Sequence, residues 1–278
     1  MRSRRFAVLA AVATLVSIAA ASEGQAGESV AITACGQVVT TSAFLTQNMH
    51  CTGSSGVVVG ADQITIDLKG FRLRGDRAIG DNGIDDNGFD SVTVKNGTVR
   101  NFFVGVDAYN GTDHISISNV VASGNAGIGV SVIGDSAKLK SVTASGNDGD
   151  GFEVSGHLIS VQSAIATGNT SYGMDIISDS GSVKSSIAAG NAYGILVEGD
   201  GAKVLSSSAY GNGGYGISVN GNAALVRGNK ADGNGFDGGA SDLSGLGIDV
   251  FAPFTAPTGT NLARGNDDTA ECDPTSLC

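Results

Sequence analysis

Six Gly-Asn pairs recur through the second half of the chain: Gly124-Asn125, Gly146-Asn147, Gly168-Asn169, Gly190-Asn191, Gly211-Asn212 and Gly233-Asn234. Successive asparagines lie 22, 22, 22, 21 and 22 residues apart. A period held that tightly means that each repeat is one turn of a solenoid, because only stacked, near-identical units return the same residue to the same place.

Written from Ser123, one turn reads SGNAGIGVSVIGDSAKLKSVTA, and turns beginning at Ser145, Thr167, Ala189 and Tyr210 keep its register. Shortly after each Gly-Asn pair a second glycine (Gly129, Gly151, Gly173, Gly194, Gly216) precedes apolar residues two apart: Val130/Val132, Phe152/Val154, Met174/Ile176, Ile195/Val197 and Ile217/Val219. Burial with a period of two is strand geometry. A further apolar column holds Leu139, Val161, Val183, Val204 and Val226, and the turns close on Ala144, Ala166, Ala188, Ala209 and Ala231. Upstream, Ile84 and Val106 open equivalent strands, and Ile64/Ile66, Val92/Val94 and Ile115/Ile117 supply a second strand to earlier coils. The predicted fold is all-β: a single-stranded right-handed parallel β-helix of about nine coils, with strands stacked about 4.8 Å apart. The unbroken period argues for one core despite the chain's length. Asparagines at one corner of every coil can bond their counterparts above and below, so Asn125, Asn147, Asn169, Asn191, Asn212 and Asn234 are predicted to form a structural ladder.

Four segments follow from this reading: a signal peptide at 1–26, an N-terminal cap at 27–56, the β-helix at 57–250 and a C-terminal cap at 251–278. Arg2, Arg4 and Arg5 precede an uncharged apolar run from Phe6 to about Ala21, followed by small residues, which is a secretory signal. The expected location is therefore outside the cytoplasm: periplasmic, secreted or at the cell surface. Removing that segment takes away three Arg and one Glu, leaving 13 basic against 26 acidic residues, a net charge of 13 − 26 = −13. Such a charge argues against nucleic acid as a partner, and the chain after residue 26 has no apolar run long enough to insert in a membrane. Four cysteines in an exported chain point to disulfides. Cys35 with Cys51 and Cys272 with Cys278 is the economical pairing, and each would tie down one end of a rod whose terminal coils otherwise expose strand edges.

The N-terminal stretch CGQVVTTSAFLTQNMHCTGSSGVVVGADQITIDLKGFRLRG, then VTVKNGTVRNFFVGV, then the repeated SGN-x-x-x-G units, resembles the secreted bacterial right-handed parallel β-helix proteins of the pectate-lyase-like solenoid superfamily, over residues 30 to 270. That resemblance implies the fold. It leaves activity open, because the superfamily spans polysaccharide lyases, hydrolases, uronate epimerases, copper-insertion accessory proteins, phage tailspikes and adhesins.

Activity must then come from outward-facing columns. Tyr172, Tyr193 and Tyr215 fall at equivalent positions of successive coils, beside Asp150, Glu153, Asp175 and Glu198. Rings that pack on sugar faces, with carboxylates to bind hydroxyls, make Tyr172, Tyr193, Tyr215, Glu153 and Asp175 a candidate site for an extracellular polysaccharide; the competing reading is an aromatic ladder that only stabilises the sheet. Calcium is a candidate guest at Asp148, Asp150 and Glu153, and a second oxygen-rich group gathers Asp81, Asp85, Asp86 and Asp90, although Asp-Gly and Asn-Gly pairs are also ordinary turn chemistry. Candidate bases (Tyr172, Tyr193, His157, Lys184, Arg227) are dispersed, and no catalytic signature emerges from the sequence. Two functional classes stand: a structural, adhesive or glycan-binding module outside the cell, and a polysaccharide lyase or uronate epimerase acting on an acidic polysaccharide.

Overall fold

A computed structural model describes residues 28–235, 247–251, 261–264, 266 and 272–273. The expected signal segment, Cys278 and most of the irregular stretch after Gly235 lie outside the described residues. Within them the chain is a parallel β-helix of about nine coils of ~22 residues, with no α-helix and no helix long and apolar enough to cross a membrane.

Most coils contribute three strand segments. One joins an 11-stranded parallel sheet, here the front sheet, running from Gln37–Val39 through Phe152–Ser155 and Tyr172–Ile177 to Cys272–Asp273. The other two, such as Lys138–Lys140 and Thr143–Ser145, join an 18-stranded sheet bent along its length, here the back sheet. In two coils the back-sheet pair is one continuous strand, Thr93–Arg100 and Ser116–Ser123. Stacked strands begin upstream of Val57: Val30–Ile32 pairs with Ala43–Leu45, and Gln37–Val39 with Val57–Val59.

Three backbone corners close each coil, and all are left-handed. Ser136, Leu158 and Ser180 turn the chain from front to back with φ of 57–60°, while Ser141, Ser163 and Ser185 bend the back sheet with φ of 51–54°. The glycine of each Gly-Asn pair turns the chain forward again, with φ of 61–63° from Gly124 to Gly233. Glycine enters that conformation without a Cβ penalty, which is why it holds this column.

Strand alternation drives one set of side chains into a single core. Val130, Phe152, Met174, Ile195, Ile217 and Ile248 face one another in register, all fully buried. Burying each such side chain stabilises by about 1.5–3 kcal/mol. The second glycine of each repeat makes room for the asparagines: a Cβ at Gly151 would lie 2.6 Å from the Gly173 carbonyl and 2.8 Å from Asn169 Nδ2.

The asparagine side chains are buried and continuously bonded. Asn147 donates from both its backbone N–H (3.1 Å) and its Nδ2 (2.9 Å) to Asn169 Oδ1; Asn169 does the same to Asn191, Asn191 to Asn212, Asn212 to Asn234, and Asn234 to Asn266. The other Nδ2 hydrogen reaches a carbonyl of the previous coil, as from Asn169 to Ala144. A second buried polar ladder runs along another corner, where the backbone N–H of Ala164 donates to Ser186, that of Ser186 to Ser207, that of Ser207 to Asn229 and that of Asn229 to Asn261. A third, exposed ladder joins aspartates: Asp90 accepts from the N–H of Asp113, Asp113 from that of Asp135, and Asp135 from that of His157.

At the N-terminal end Cys35 and Cys51 form a disulfide, with Cα atoms 5.5 Å apart. Cys272 is also disulfide-bonded.

Candidate functional site

The outward face of the front sheet is read directly from the strand register. One column runs Asp85, Asp107, Ser131, Glu153, Asp175, Leu196, Ser218 and Asp249. On one side of it stand Tyr172, Tyr193 and Tyr215; on the other, Ser155, Ile177, Glu198 and Asn220. Ser131 and Ser218 face outward yet are 8% and 3% exposed, so they form the floor of a shallow trough between the flanking columns.

The three tyrosine rings form one stack, with centroids 4.9 Å apart between Tyr172 and Tyr193 and 5.1 Å between Tyr193 and Tyr215. These distances match the coil spacing, because equivalent positions on adjacent parallel strands sit about 4.8 Å apart. Asp150 starts the column: its Oδ1 accepts from the Tyr172 backbone N–H at 2.8 Å. Burial, then a hydrogen bond with Tyr172, push the Tyr215 hydroxyl far above its ordinary value, so it stays protonated.

The carboxylates crowd one another. Burial holds Asp175 up at about 6, with Asp150, Glu153 and Glu198 adding repulsion. Burial and then Asp150 also raise Glu153. Two coils toward the N-terminus, Asp107 is likewise held at about 6, by burial and then Asp85, although Asn82 Nδ2 donates to its Oδ2 at 2.7 Å. Asp85 is raised by burial, and its Oδ1 and Asn82 Oδ1 are buried without a hydrogen-bond partner. A carboxyl poised near 6 can both release and accept a proton around neutrality.

The structure therefore gathers Tyr172, Tyr193, Tyr215, Glu153 and Asp175 on one face. It does not gather the calcium candidates in the same way. Asp148 sits at a corner and pairs with Arg77, which also donates to the Gly124 carbonyl, and Asp150 holds the Tyr172 amide. Among the described residues no group of three or more His, Cys, Asp or Glu side chains is arranged to hold a metal. The upstream acidic group splits as well: Asp85 faces outward, Asp90 lies in the corner ladder, and Asp86 points into the core, fully buried, with Oδ1 accepting from Phe89 N–H and Oδ2 unpartnered. Of the candidate bases, Lys184 and Arg227 stand on the back sheet, away from the tyrosines. His157 lies at the trough's edge, with Nδ1 3.7 Å from Asp179, beside a cavity of about 310 Å³ also lined by Ser155, Ile177 and Glu198.

Asp107 and Asn82 escape a reading of the Gly-Asn repeats because their coils lack that pair. The signal was present in Gly83-Ile84 and Gly105-Val106, since the residue after each apolar strand opener, Asp85 or Asp107, must face outward.

No protein-family model matches the chain, and no curated protein matches its sequence. Among solved structures it is similar to the Agl-KA catalytic domain, with a TM-score of 0.50 and 10% identity over 88% of this chain and 59% of that one. It is also similar to the A-module of the Azotobacter vinelandii mannuronan C-5 epimerase AlgE6 (TM-score 0.46, 16% identity, 84% and 77% covered) and to pectate lyase Pel9A (TM-score 0.41, 16% identity, 87% and 68% covered). At these identities the likeness is one of fold: the chain shares the parallel β-helix architecture.

Proposed function

We propose that this is an exported polysaccharide-acting β-helix protein, in which an extended glycan lies along Tyr172, Tyr193 and Tyr215 and meets Glu153 and Asp175 in the adjoining trough. One observation carries the reading: Asp175, held at about 6 by burial and three neighbouring carboxylates, stands beside a three-ring stack. A sheet built only for stability gains nothing from like charges crowded on one face, whereas proton transfer to a bound sugar uses a carboxyl in this range. Lyase and epimerase chemistry both begin with removal of a proton from the sugar, which Asp175 or Glu153 can accept. The rings supply the flat apolar surface for pyranose faces, and the regular coil spacing lets a linear polymer cross several rungs. Export is supported by the disulfide-bonded Cys35, Cys51 and Cys272, because such bonds persist in oxidising compartments.

A panel of neutral and acidic polysaccharides tests this with three readouts: retention, unsaturated-product absorbance, and sugar inversion by NMR. The expected result, read at high salt where exposed charges are screened, is that Tyr172→Ala with Tyr193→Ala abolishes retention, while Asp175→Asn keeps retention and loses turnover. Retention without turnover on any polymer would reduce the protein to a binding module. Absence of both would favour the purely structural reading.

A further inference from the structure

The back sheet carries the opposite charge. Front-sheet strands present the acids Asp85, Asp107, Glu153, Asp175, Glu198 and Asp249 outward and hold no Lys or Arg; back-sheet strands hold eleven Lys and Arg against two acids, Asp67 and Asp232. The net charge of −13 for residues 27–278 (13 basic, 26 acidic) therefore conceals a basic face.

Within that face the cations follow a rule. One outward column reads, coil by coil, Lys95, Ser118, Lys140, Gln162, Lys184, Leu205 and Arg227. Every second coil places a cation in this column, so the charges recur about 10 Å apart, twice the strand spacing. Lys140, Lys184 and Arg227 are exposed and form no ion pair with any described residue; Lys95, at the end, lies 3.7 Å from Asp67. The adjoining column adds Lys138 and Lys203, both exposed. At the Lys95 end the surface dips into a cavity of about 370 Å³ lined by Phe44, Thr65, Asp67, Lys69 and Lys95. There Lys69 sits 5.8 Å from the Phe44 ring centroid.

We infer that the back sheet is a docking track for a linear anionic polysaccharide, aligned with the rod axis along Lys140, Lys184 and Arg227. A straight column of cations at fixed interval fits a straight polymer of regularly spaced anions, and an extended polysaccharide advances by roughly one coil spacing per sugar. Ser118 and Gln162, between the cations, offer a hydroxyl and an amide for sugar hydroxyls. A nucleic acid fits less well, because the column holds no aromatic ring for bases to stack on. The track is on another face from the tyrosine strip and stands or falls independently of it.

The experiment measures binding of the full chain to hyaluronate, polygalacturonate, neutral dextran and duplex DNA across a salt series. Hyaluronate and polygalacturonate are expected to bind and to release steeply as salt rises, with dextran not retained on this face. Lys140→Gln with Lys184→Gln should weaken polyanion binding about tenfold or more at low salt, and Gln162→Lys should strengthen it. Both changes are made in the Tyr172→Ala, Tyr193→Ala background, where the salt-sensitive binding that remains belongs to the track. Lys140, Gln162 and Lys184 are exposed, so an unaltered far-ultraviolet spectrum separates lost binding from lost fold. Salt-sensitive polyanion binding that survives the lysine double change, or that is absent from the tyrosine background, would overturn the track. Preference for DNA would overturn the choice of polymer, and lysine-dependent self-association without added polymer would assign the face to a second copy of the chain.

Discussion

Asn169→Ala tests the ladder where its bonding is fully described. Asn169 is 2% exposed. Its Oδ1 accepts from the backbone N–H and Nδ2 of Asn147, and its Nδ2 donates to Asn191 Oδ1 and to the Ala144 carbonyl. Alanine keeps the backbone N–H bond to Asn191 and removes the rest. Two donors of Asn147 then lose their acceptor in a site without solvent access. Each such orphan costs about 1–3 kcal/mol, so the change should destabilise by about 2–6 kcal/mol, with the lower half favoured because Asn147 Nδ2 retains the Ala122 carbonyl at 3.4 Å. Asn222→Ala is the control: Asn222 also bonds along a ladder, to Asp200 at 3.0 Å, but in an exposed corner where water replaces the partner, so its cost should stay within about 0.5 kcal/mol. Urea denaturation gives the midpoints, and hydrogen exchange localises the loss to the coils on either side, which matters because a solenoid need not unfold as one unit. Asn169→Ala with Asn191→Ala removes their shared bond once, so the pair should cost less than the sum of the singles. Equal costs for Asn169→Ala and Asn222→Ala would refute the claim that burial gives these amides their weight.

Two further outcomes follow from glycine packing and from core charge. Gly151→Ala should cost about 3 kcal/mol, because its Cβ meets the Gly173 carbonyl at 2.6 Å; Gly146→Ala, with nothing within 4 Å, should cost only the left-handed strain of about 1–2 kcal/mol, and thermal melts ranking them in reverse would refute the packing argument. Asp86, raised to about 6 by burial, holds its proton more tightly folded than unfolded, so the stability it contributes is full below pH 3.8 and is lost as pH rises through about 6. Asp86→Val should remove a penalty of about 3 kcal/mol at neutral pH and lessen the fall in melting temperature between pH 4 and 7, the rest of the fall belonging to Asp107 and Asp175; an unchanged pH profile would show that the carboxyl is not charged in the core.

The coil, its register and its inward columns were legible because a 22-residue period repeats the same residue types at the same corners. The paired tyrosines and carboxylates could be set on one face for the same reason, since register carries Tyr172 onto Tyr193 and Glu153 onto Asp175. What escaped was whatever changes letter from coil to coil. The Ser186, Ser207, Asn229 and Asn261 ladder does one job with two residue types, so no repeated residue announces it. The second glycine column read as a strand opener, while its cause, the amide of the neighbouring asparagine, belongs to another coil. Asp86 breaks pattern most sharply: its column continues as Ala108, Val132, Val154 and Ile176, and only the register shows a carboxylate standing in line with them. The separation of charge between faces was hidden because Lys and Asp alternate freely along the sequence, and only the coil sorts them onto different sheets.

That sorting also explains how the protein tolerates an uncompensated acidic face. In a stacked repeat, stability is a sum of local and nearest-neighbour terms, so a coil that carries a penalty draws on the coils touching it. Asp175 lies in the coil that includes Asn169, and Glu153 in the one that includes Asn147; both of these asparagines are bonded above and below. Where the carboxylates crowd, the interior of the same coils is hydrogen-bonded at two corners and filled by Phe152, Met174 and Ile176. Spreading the cations onto the front sheet would relieve the repulsion, but it would also pull Asp175 back toward its ordinary range and cost the face its proton-holding capacity near neutrality. Confining the cations to the back sheet keeps Asp175 raised and leaves Lys140, Lys184 and Arg227 free for an anionic partner on the opposite side of the same rigid core.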